Sequence, residues 1–224
     1  MKRLCHQTWT EAKPVTIGDE VDRYLRGRGI NQGAYPRTLR FHPALGYYEK
    51  QPGQKRSKLI ASYAAMVACV QGPDGHAVTL HRTYLKEGRK ALGDQSKKLL
   101  SAGINGAAVR LDEATDELAL TEGIETALAV RLRTGKPTWA AINCGNLERI
   151  WIPEQVRRVC IYADNDADAE FAGQASAYIL AQRLVREAKK AGIHRTVEVF
   201  VPRQAGTDWA DIWLASLAKD KRAA

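Results

Sequence analysis

Two short apolar runs that end in carboxylates constrain this chain more than any other feature. One reads Leu118-Ala-Leu-Thr-Glu122-Gly-Ile-Glu-Thr, the other Val159-Cys-Ile-Tyr-Ala-Asp164-Asn-Asp166. Each has the length of a strand and gives way to helical periodicity. From about Asp116 the pattern alternates strictly. Strands are predicted at Leu118–Thr121, Trp139–Asn143, Val159–Ala163 and Thr196–Val201. Helices are predicted at Ile124–Thr134, closed by Gly135, and at Ala169–Ala191, stopped by Gly192. Shorter ones are expected at Asn146–Trp151 and Asp208–Leu217. Such alternation predicts a parallel sheet covered by helices on both faces.

In open sheets of this kind, sites form at the carboxyl ends of strands. Glu122, Asp164 and Asp166 would therefore meet at one edge. Three gathered carboxylates repel unless a cation lies among them. Mg²⁺, which takes oxygen ligands and keeps several waters, suits such a set and points to phosphate chemistry. Asp164 and Asp166, at i and i+2, face the same way if the extended geometry persists. Glu122 is either a metal ligand or a general base on a hydroxyl. Gly123 would permit a tight strand-to-helix turn and let a phosphate approach the backbone. Asp208, after the fourth strand, is either a further ligand or the N-cap of the last helix, two readings of equal weight. Glu125 is expected to be an exposed first-turn acid, and Asp168 and Glu170 to be helix-start acids.

The first half is less regular. Residues 1–19 read as a polar tail. Thr16–Arg28 reads as a helix whose Arg23, Arg26 and Arg28 form a solvated end. Leu39–Tyr48 reads as extended, and Lys50, Lys55, Arg56 and Lys58 sit in a loop, where the last three either grip phosphate or belong to a flexible segment, two readings of equal weight. Tyr63–Val70 and His76–Tyr84 form a hairpin around Pro73-Asp74-Gly75. His81, Trp139 and Trp151 are expected to be structural, and Trp209 and Trp213 to pack onto the sheet. The net charge of +9 favours an anionic partner, of which nucleic acid is the commonest. Cys5, Cys69, Cys144 and Cys160 lie far apart without a C-x-x-C pair. No zinc site is signalled, and the last three read as small core residues of a reduced, cytoplasmic chain. No signal-peptide or membrane-spanning stretch is visible.

The blocks Glu122-Gly-Ile-Glu-Thr, Cys144-Gly-Asn146 and Asp164-Asn-Asp166, with the acidic region at Asp208, resemble the Toprim domain of bacterial-type primases, topoisomerases and certain nucleases. Tyr24-Leu-Arg-Gly-Arg-Gly29, the hairpin ending in His81-Arg82, and Ser96-Lys97-Lys98-Leu-Leu-Ser101 are similar to blocks of bacterial and phage primase catalytic cores. They occur in the same order. The resemblance spans roughly residues 20–216. It implies an α/β fold, a Toprim (Rossmann-like) parallel sheet over 113–217 with a smaller basic α+β lobe over 20–112, and a tail at 218–224.

The same resemblance implies Mg²⁺- or Mn²⁺-dependent synthesis of short RNA primers on single-stranded DNA from nucleoside triphosphates, in a protein of phage or mobile-element type. It also implies a replicative helicase as a further partner. Glu122 would be the base or a ligand, and Asp164 and Asp166 would hold the metal. Arg82, Lys98, Lys97 and Gly123 would contact nucleic acid or triphosphate. A Toprim nuclease and a non-catalytic binding protein that retains the fold are the alternatives. Four departures separate the chain from the primase pattern. The late acidic motif, Asp208 to Asp211, reads Asp-x-x-Asp rather than Asp-x-Asp, and no C-terminal helicase or helicase-binding domain is read. No zinc-ribbon cysteine set is present, and Gly173 follows Asp166 by seven positions rather than closely.

Overall fold

A computed structural model describes residues 2–223 apart from Gln51, Lys55 and Ala102, and leaves undescribed the side chains of Asp94 and of residues 219–223. Lys55, one of the loop cations considered above, thus lies outside the described residues. The chain divides into two compact units. The first comprises Met1–Gly27, Asn31–Cys69 and Thr79–Ala102, the second Arg28–Ile30, Val70–Val78 and Gly103–Ala224.

The first unit opens on α1 (Lys2–Glu11), where a tail was expected from the polar composition. What orders this helix is one face: Cys5 and Trp9 pack on the sheet core, and the Arg40 guanidinium lies 4.3 Å over the Trp9 ring. β1 (Lys13–Pro14), α2 (Glu20–Gly27), β2 (Leu39–Glu49), β3 (Lys58–Gln71), β4 (Ala77–Lys86) and β5 (Arg89–Lys90) follow. A 3-10 turn, Gly93–Ser96, leads into β6 (Lys97–Leu99). The sheet runs β1-β2-β3-β4-β5, with β6 paired antiparallel to β4. The β3–β4 hairpin turns where Pro73-Asp74-Gly75 demands it: Gly75 has φ +80°, and Gly72 N–H donates to His76 O at 2.9 Å. Tyr47, Tyr63 and Tyr84 meet edge to face at its core, with centroids 5.1–6.3 Å apart.

In the second unit β7 (Val109–Arg110) precedes β8 (Glu117–Thr121), α3 (Ile124–Thr134), β9 (Thr138–Ala140) and α4 (Cys144–Leu147). β10 (Arg158–Tyr162), α5 (Ala172–Ala191), β11 (Thr196–Phe200) and α6 (Trp209–Ala223) complete it. The sheet order is β11-β10-β8-β9-β7. Its first four strands are parallel and β7 is an antiparallel edge. Period-two alternation sorts the side chains. Leu118, Leu120, Val159 and Ile161 face Leu180 and Leu184 of α5, while Ala119, Cys160 and Tyr162 face Val130 of α3 and Trp209 of α6. Each such leucine contributes about 1.5–3 kcal/mol by leaving water. Gly135 and Gly192, at φ +68° and +65°, end α3 and α5 as the sequence predicts. Among the described residues no helix is long and apolar enough to cross a membrane.

Candidate active site

The register of the parallel strands sets the site. Thr121 pairs with Tyr162 and Leu120 with Ile161, so Glu122 emerges beside Ala163, one residue before Asp164. Ala163 N–H still bonds Phe200 O at 2.9 Å, and Asn165 bridges Thr207. Extended geometry therefore persists past the end of β10, as the Asp-x-Asp reading requires.

Glu122 is half-buried, and its Oε2 accepts the Cys144 thiol at 2.7 Å. The backbone delivers that contact. Ile142 N–H donates to Glu122 O, and Ile142 takes φ +80°, a strained value for a β-branched residue. The chain then swings so that Asn143 caps α4 through Asn146 N–H and Cys144 opens the helix against Glu122. Burial first, then the Glu122 hydrogen bond and charge, push the Cys144 thiol up to about 12, with the Asp166 charge adding to the rise. A thiol so placed stays protonated and acts as a donor. Cys144 is thus not the small core residue expected of it. Cys160 is fully buried in the core of the second unit, and Cys69 is half-buried against the core of the first.

Asp164 and Asp166 close on Gly173. Gly173 N–H donates to Asp166 Oδ2 at 2.9 Å, and Gln174 Oε1 accepts Asp166 N–H at 2.9 Å. A Cβ on Gly173 would lie 2.8 Å from Asp166 Oδ2, 3.0 Å from Asp164 O and 3.3 Å from Asp164 Cβ. The seven-residue spacing is absorbed by a turn over 167–171, in which Glu170 and Phe171 adopt φ near +60° and Phe171 N–H returns to Asp166 O at 2.8 Å. α5 therefore begins at Ala172, three residues later than predicted, and Asp168 and Glu170 belong to this turn rather than to the helix. Asn165, which the motif reading passes over, is the staple of the loop. Its amide donates to Pro202 O at 2.7 Å, and its Oδ1 accepts Gln174 Nε2 at 2.7 Å and Ala167 N–H at 3.2 Å.

Among the described residues no three His, Cys, Asp or Glu side chains form a group able to hold a metal ion. The carboxylates expected to gather are instead turned onto neighbouring donors, Glu122 onto a thiol and Asp166 onto a backbone N–H. This limits their mutual repulsion. The donor chemistry still suits Mg²⁺, which often takes only one or two protein carboxylates. Asp164 and Asp166 also share the side-chain-free surface of Gly173.

Asp208 is an N-cap. Its Oδ1 accepts Asp211 N–H at 2.8 Å, Asp211 Oδ2 accepts Asp208 N–H at 3.2 Å, and Thr126 Oγ1 donates to Asp208 Oδ2 at 3.1 Å. Arg28 lies 4.0 Å from Asp208 and 3.7 Å from Asp211, so it is no solvated helix end. Glu125 is buried, against the expectation of an exposed acid. Gly123 caps α3 at φ −85° and ψ 151°, a conformation open to any residue. An added Cβ there would meet Thr126 Oγ1 at 3.5 Å and Glu125 Oε2 at 3.9 Å, ordinary contacts. The turn itself therefore does not demand this glycine. Asn146 is a buried anchor for α4: it donates to Ala107 O and Ala141 O and accepts Gly106 N–H. Trp139 is buried and Trp151 stacks on it at the surface, with the Arg110 guanidinium over both rings. Trp209 packs edge-on to Tyr162.

In the first unit Arg82 and Lys98 are direct cross-strand partners of β4 and β6. Arg82 donates to Leu99 O at 3.0 Å and to Tyr84 OH at 3.1 Å. Lys98 Nζ donates to Tyr48 O at 2.8 Å and sits 3.6 Å over the Tyr47 ring. Lys98, with Lys97 and Lys50, lines a shallow depression of about 370 Å³.

Residues 1–111 match a domain of unknown function, DUF7146, and residues 117–219 match the Toprim domain. No curated protein matches the chain. Solved structures do. A DNA primase domain from Pseudomonas aeruginosa aligns at TM-score 0.60 and 13% identity, over 98% of this chain and 77% of that one. A DnaG primase catalytic domain bound to single-stranded DNA aligns at TM-score 0.59 and 12% identity, over 99% and 78%. The RNA polymerase domain of Mycobacterium tuberculosis DnaG in complex with double-stranded DNA aligns at TM-score 0.51 and 13% identity, over 97% and 77%. The second half of the chain thus matches the Toprim domain, and the chain as a whole shares the mixed α/β fold seen in DnaG-type primase catalytic cores.

Proposed function

We propose that the chain is a primase-like nucleotidyltransferase that joins ribonucleotides on a single-stranded DNA template. The observation that carries this reading is the delivery of Glu122 and Asp164-Asn-Asp166 to the carboxyl ends of adjacent parallel strands in a Toprim domain. In the reaction, a 3′-hydroxyl oxygen bonds the α-phosphorus of a triphosphate, the bond to the pyrophosphate oxygen breaks, and the hydroxyl proton leaves. Glu122 takes that proton, and the Cys144 thiol keeps its carboxylate oriented. Asp164 and Asp166 would hold Mg²⁺, which when bound supplies charge neutralisation on the phosphates. Gly123, whose glycine the fold does not itself require, leaves the N-terminus of α3 open to a phosphate oxygen. Lys98, Lys97 and Arg82 supply cations for template or triphosphate phosphates. The likeness of fold to a primase domain bound to single-stranded DNA supports that template.

Purified chain with single-stranded DNA, labelled ribonucleoside triphosphates and Mg²⁺ tests the proposal. Labelled oligonucleotides, absent with Asp164→Asn, are the expected product. DNA fragments would mean the nuclease reading. Neither product, with DNA binding intact, would mean a binding protein.

A further inference from the structure

The outward face of α5 carries a feature that the site does not use. The helix buries Gly173, Ser176, Ala177, Leu180, Leu184 and Ala188 on one side. Its opposite side should then be polar. Instead Phe171, Tyr178, Ile179 and Val185 are 55%, 58%, 49% and 51% exposed. Single exposed apolar residues are ordinary, but these lie in one stripe. Within the helix, positions 175, 178, 182, 185 and 189 recur at spacings of three and four, the spacing of a paired helix seam, with Phe171 in the turn at its head. α5 has 20 residues, a seam of roughly 30 Å.

Charge along the seam is polarised. Asp168 and Glu170 are exposed at its head, and Arg186, Lys189 and Lys190 are exposed over its last turns. A parallel partner of the same kind would set like charges together. An antiparallel one sets acid against base at both ends. The acidic head also makes the face a poor track for a phosphate backbone, which a basic stripe along its whole length would favour.

We infer that this face is a self-association surface, on which a second copy of the chain packs its own α5 antiparallel about a two-fold axis at Tyr178. That arrangement brings the turn at the head of one helix, with Phe171 and the acidic Glu170, to the tail of the other copy, with Val185 and the basic Arg186. The contact is one helix wide, smaller than a full-sized interface, so self-association is weak and reversible.

Sedimentation velocity of nucleic-acid-free chain over a concentration series tests it. The expected result is a reversible shift to twice the chain mass. Tyr178→Glu, which sets two carboxylates face to face on the axis, weakens it by at least ~10-fold with the circular dichroism unchanged. Glu170→Lys also weakens it, and Glu170→Lys combined with Arg186→Glu restores it, a rescue that no intramolecular role would produce. A chain that stays monomeric throughout overturns the inference. So does a dimer indifferent to Tyr178→Glu and Glu170→Lys. If Arg186→Glu abolishes single-stranded DNA binding without altering the mass, the face is a nucleic-acid surface and the inference also fails.

Discussion

Gly173→Ala is the substitution on which the account of the Asp-Asn-Asp loop depends. Gly-to-Ala changes in helices ordinarily stabilise, by about 0.5–1 kcal/mol. Here the new Cβ would stand 2.8 Å from Asp166 Oδ2 and 3.0 Å from the Asp164 carbonyl oxygen. The Asp166 carboxylate can rotate away, but it then gives up the 2.9 Å bond from Gly173 N–H. A bond to a charged group contributes about 1.5–3 kcal/mol. The Asp164 carbonyl is backbone, continuous with a strand fully paired on both sides, and yields less easily. Overpacking of this kind costs about 1–3 kcal/mol. After subtracting the helix gain, the net is a destabilisation of about 1.5–5.5 kcal/mol. Urea denaturation should show it as a lower midpoint at unchanged slope, since the surface exposed on unfolding is the same. Any activity that depends on Asp164 and Asp166 should fall with it at temperatures where the variant is folded. A variant as stable as the parent, or more so, would refute the close approach of α5 to these carboxylates.

Gly123→Ala should behave oppositely: its Cβ meets only ordinary contacts, so the loss stays under about 1 kcal/mol, while primer synthesis falls because a methyl group covers the phosphate approach. Equal activity in a folded variant would remove Gly123 from the site. Lys98→Ala should weaken single-stranded DNA binding and flatten its salt dependence in fluorescence anisotropy, whereas Arg82→Ala should also lower the melting temperature, because Arg82 ties β4 to Leu99 O. Unchanged affinity in both would leave the DNA contacts of this lobe elsewhere. Asp22 is buried; burial acts to raise its carboxyl, but Gly18 N–H, the Tyr35 hydroxyl and Arg26 outweigh it and hold the group below its ordinary value. With the folded value depressed, its contribution is complete above the unfolded value of about 4 and is lost as pH falls through the folded one. Asp22→Asn should therefore cost about 1–3 kcal/mol at pH 7 and progressively less in acid, by denaturation at several pH values. A constant cost across that range would contradict the assignment.

The half of the chain that reads clearly is the half whose order is local. Strand runs of period two, helices closed by Gly135 and Gly192, and carboxylates at strand ends are written in contiguous residues. The predicted α3 boundaries coincide with the observed Ile124–Thr134. What escaped the sequence depends on distant partners. α1 has a polar composition and is ordered by distant partners, Cys5 and Trp9 packing on the sheet core and Arg40 lying over the Trp9 ring. Glu125 has the sequence position of a dipole-favoured surface acid, yet the fold buries it. Cys144 sits in an apolar run, and only the reversal at Ile142 carries its thiol to Glu122. The Gly173 spacing looked like a departure from the primase pattern. A compact turn removes the extra residues, and the glycine still meets both aspartates. Asp208 stood equally between ligand and cap because an Asp at the start of a helical run serves either use. Asp211, three residues on, is the capping partner, and that spacing was the available signal.

The role of Glu122 is tested most directly by single-turnover formation of the first phosphodiester bond on a single-stranded DNA template, comparing the parent chain with Glu122→Gln. The parent should give a labelled dinucleotide and stoichiometric pyrophosphate in Mg²⁺. Glu122→Gln should lose about 10²–10⁴-fold in rate with DNA affinity unchanged, because the amide cannot take the hydroxyl proton. A Glu122→Gln variant that forms the dinucleotide at the parent's rate would contradict that role.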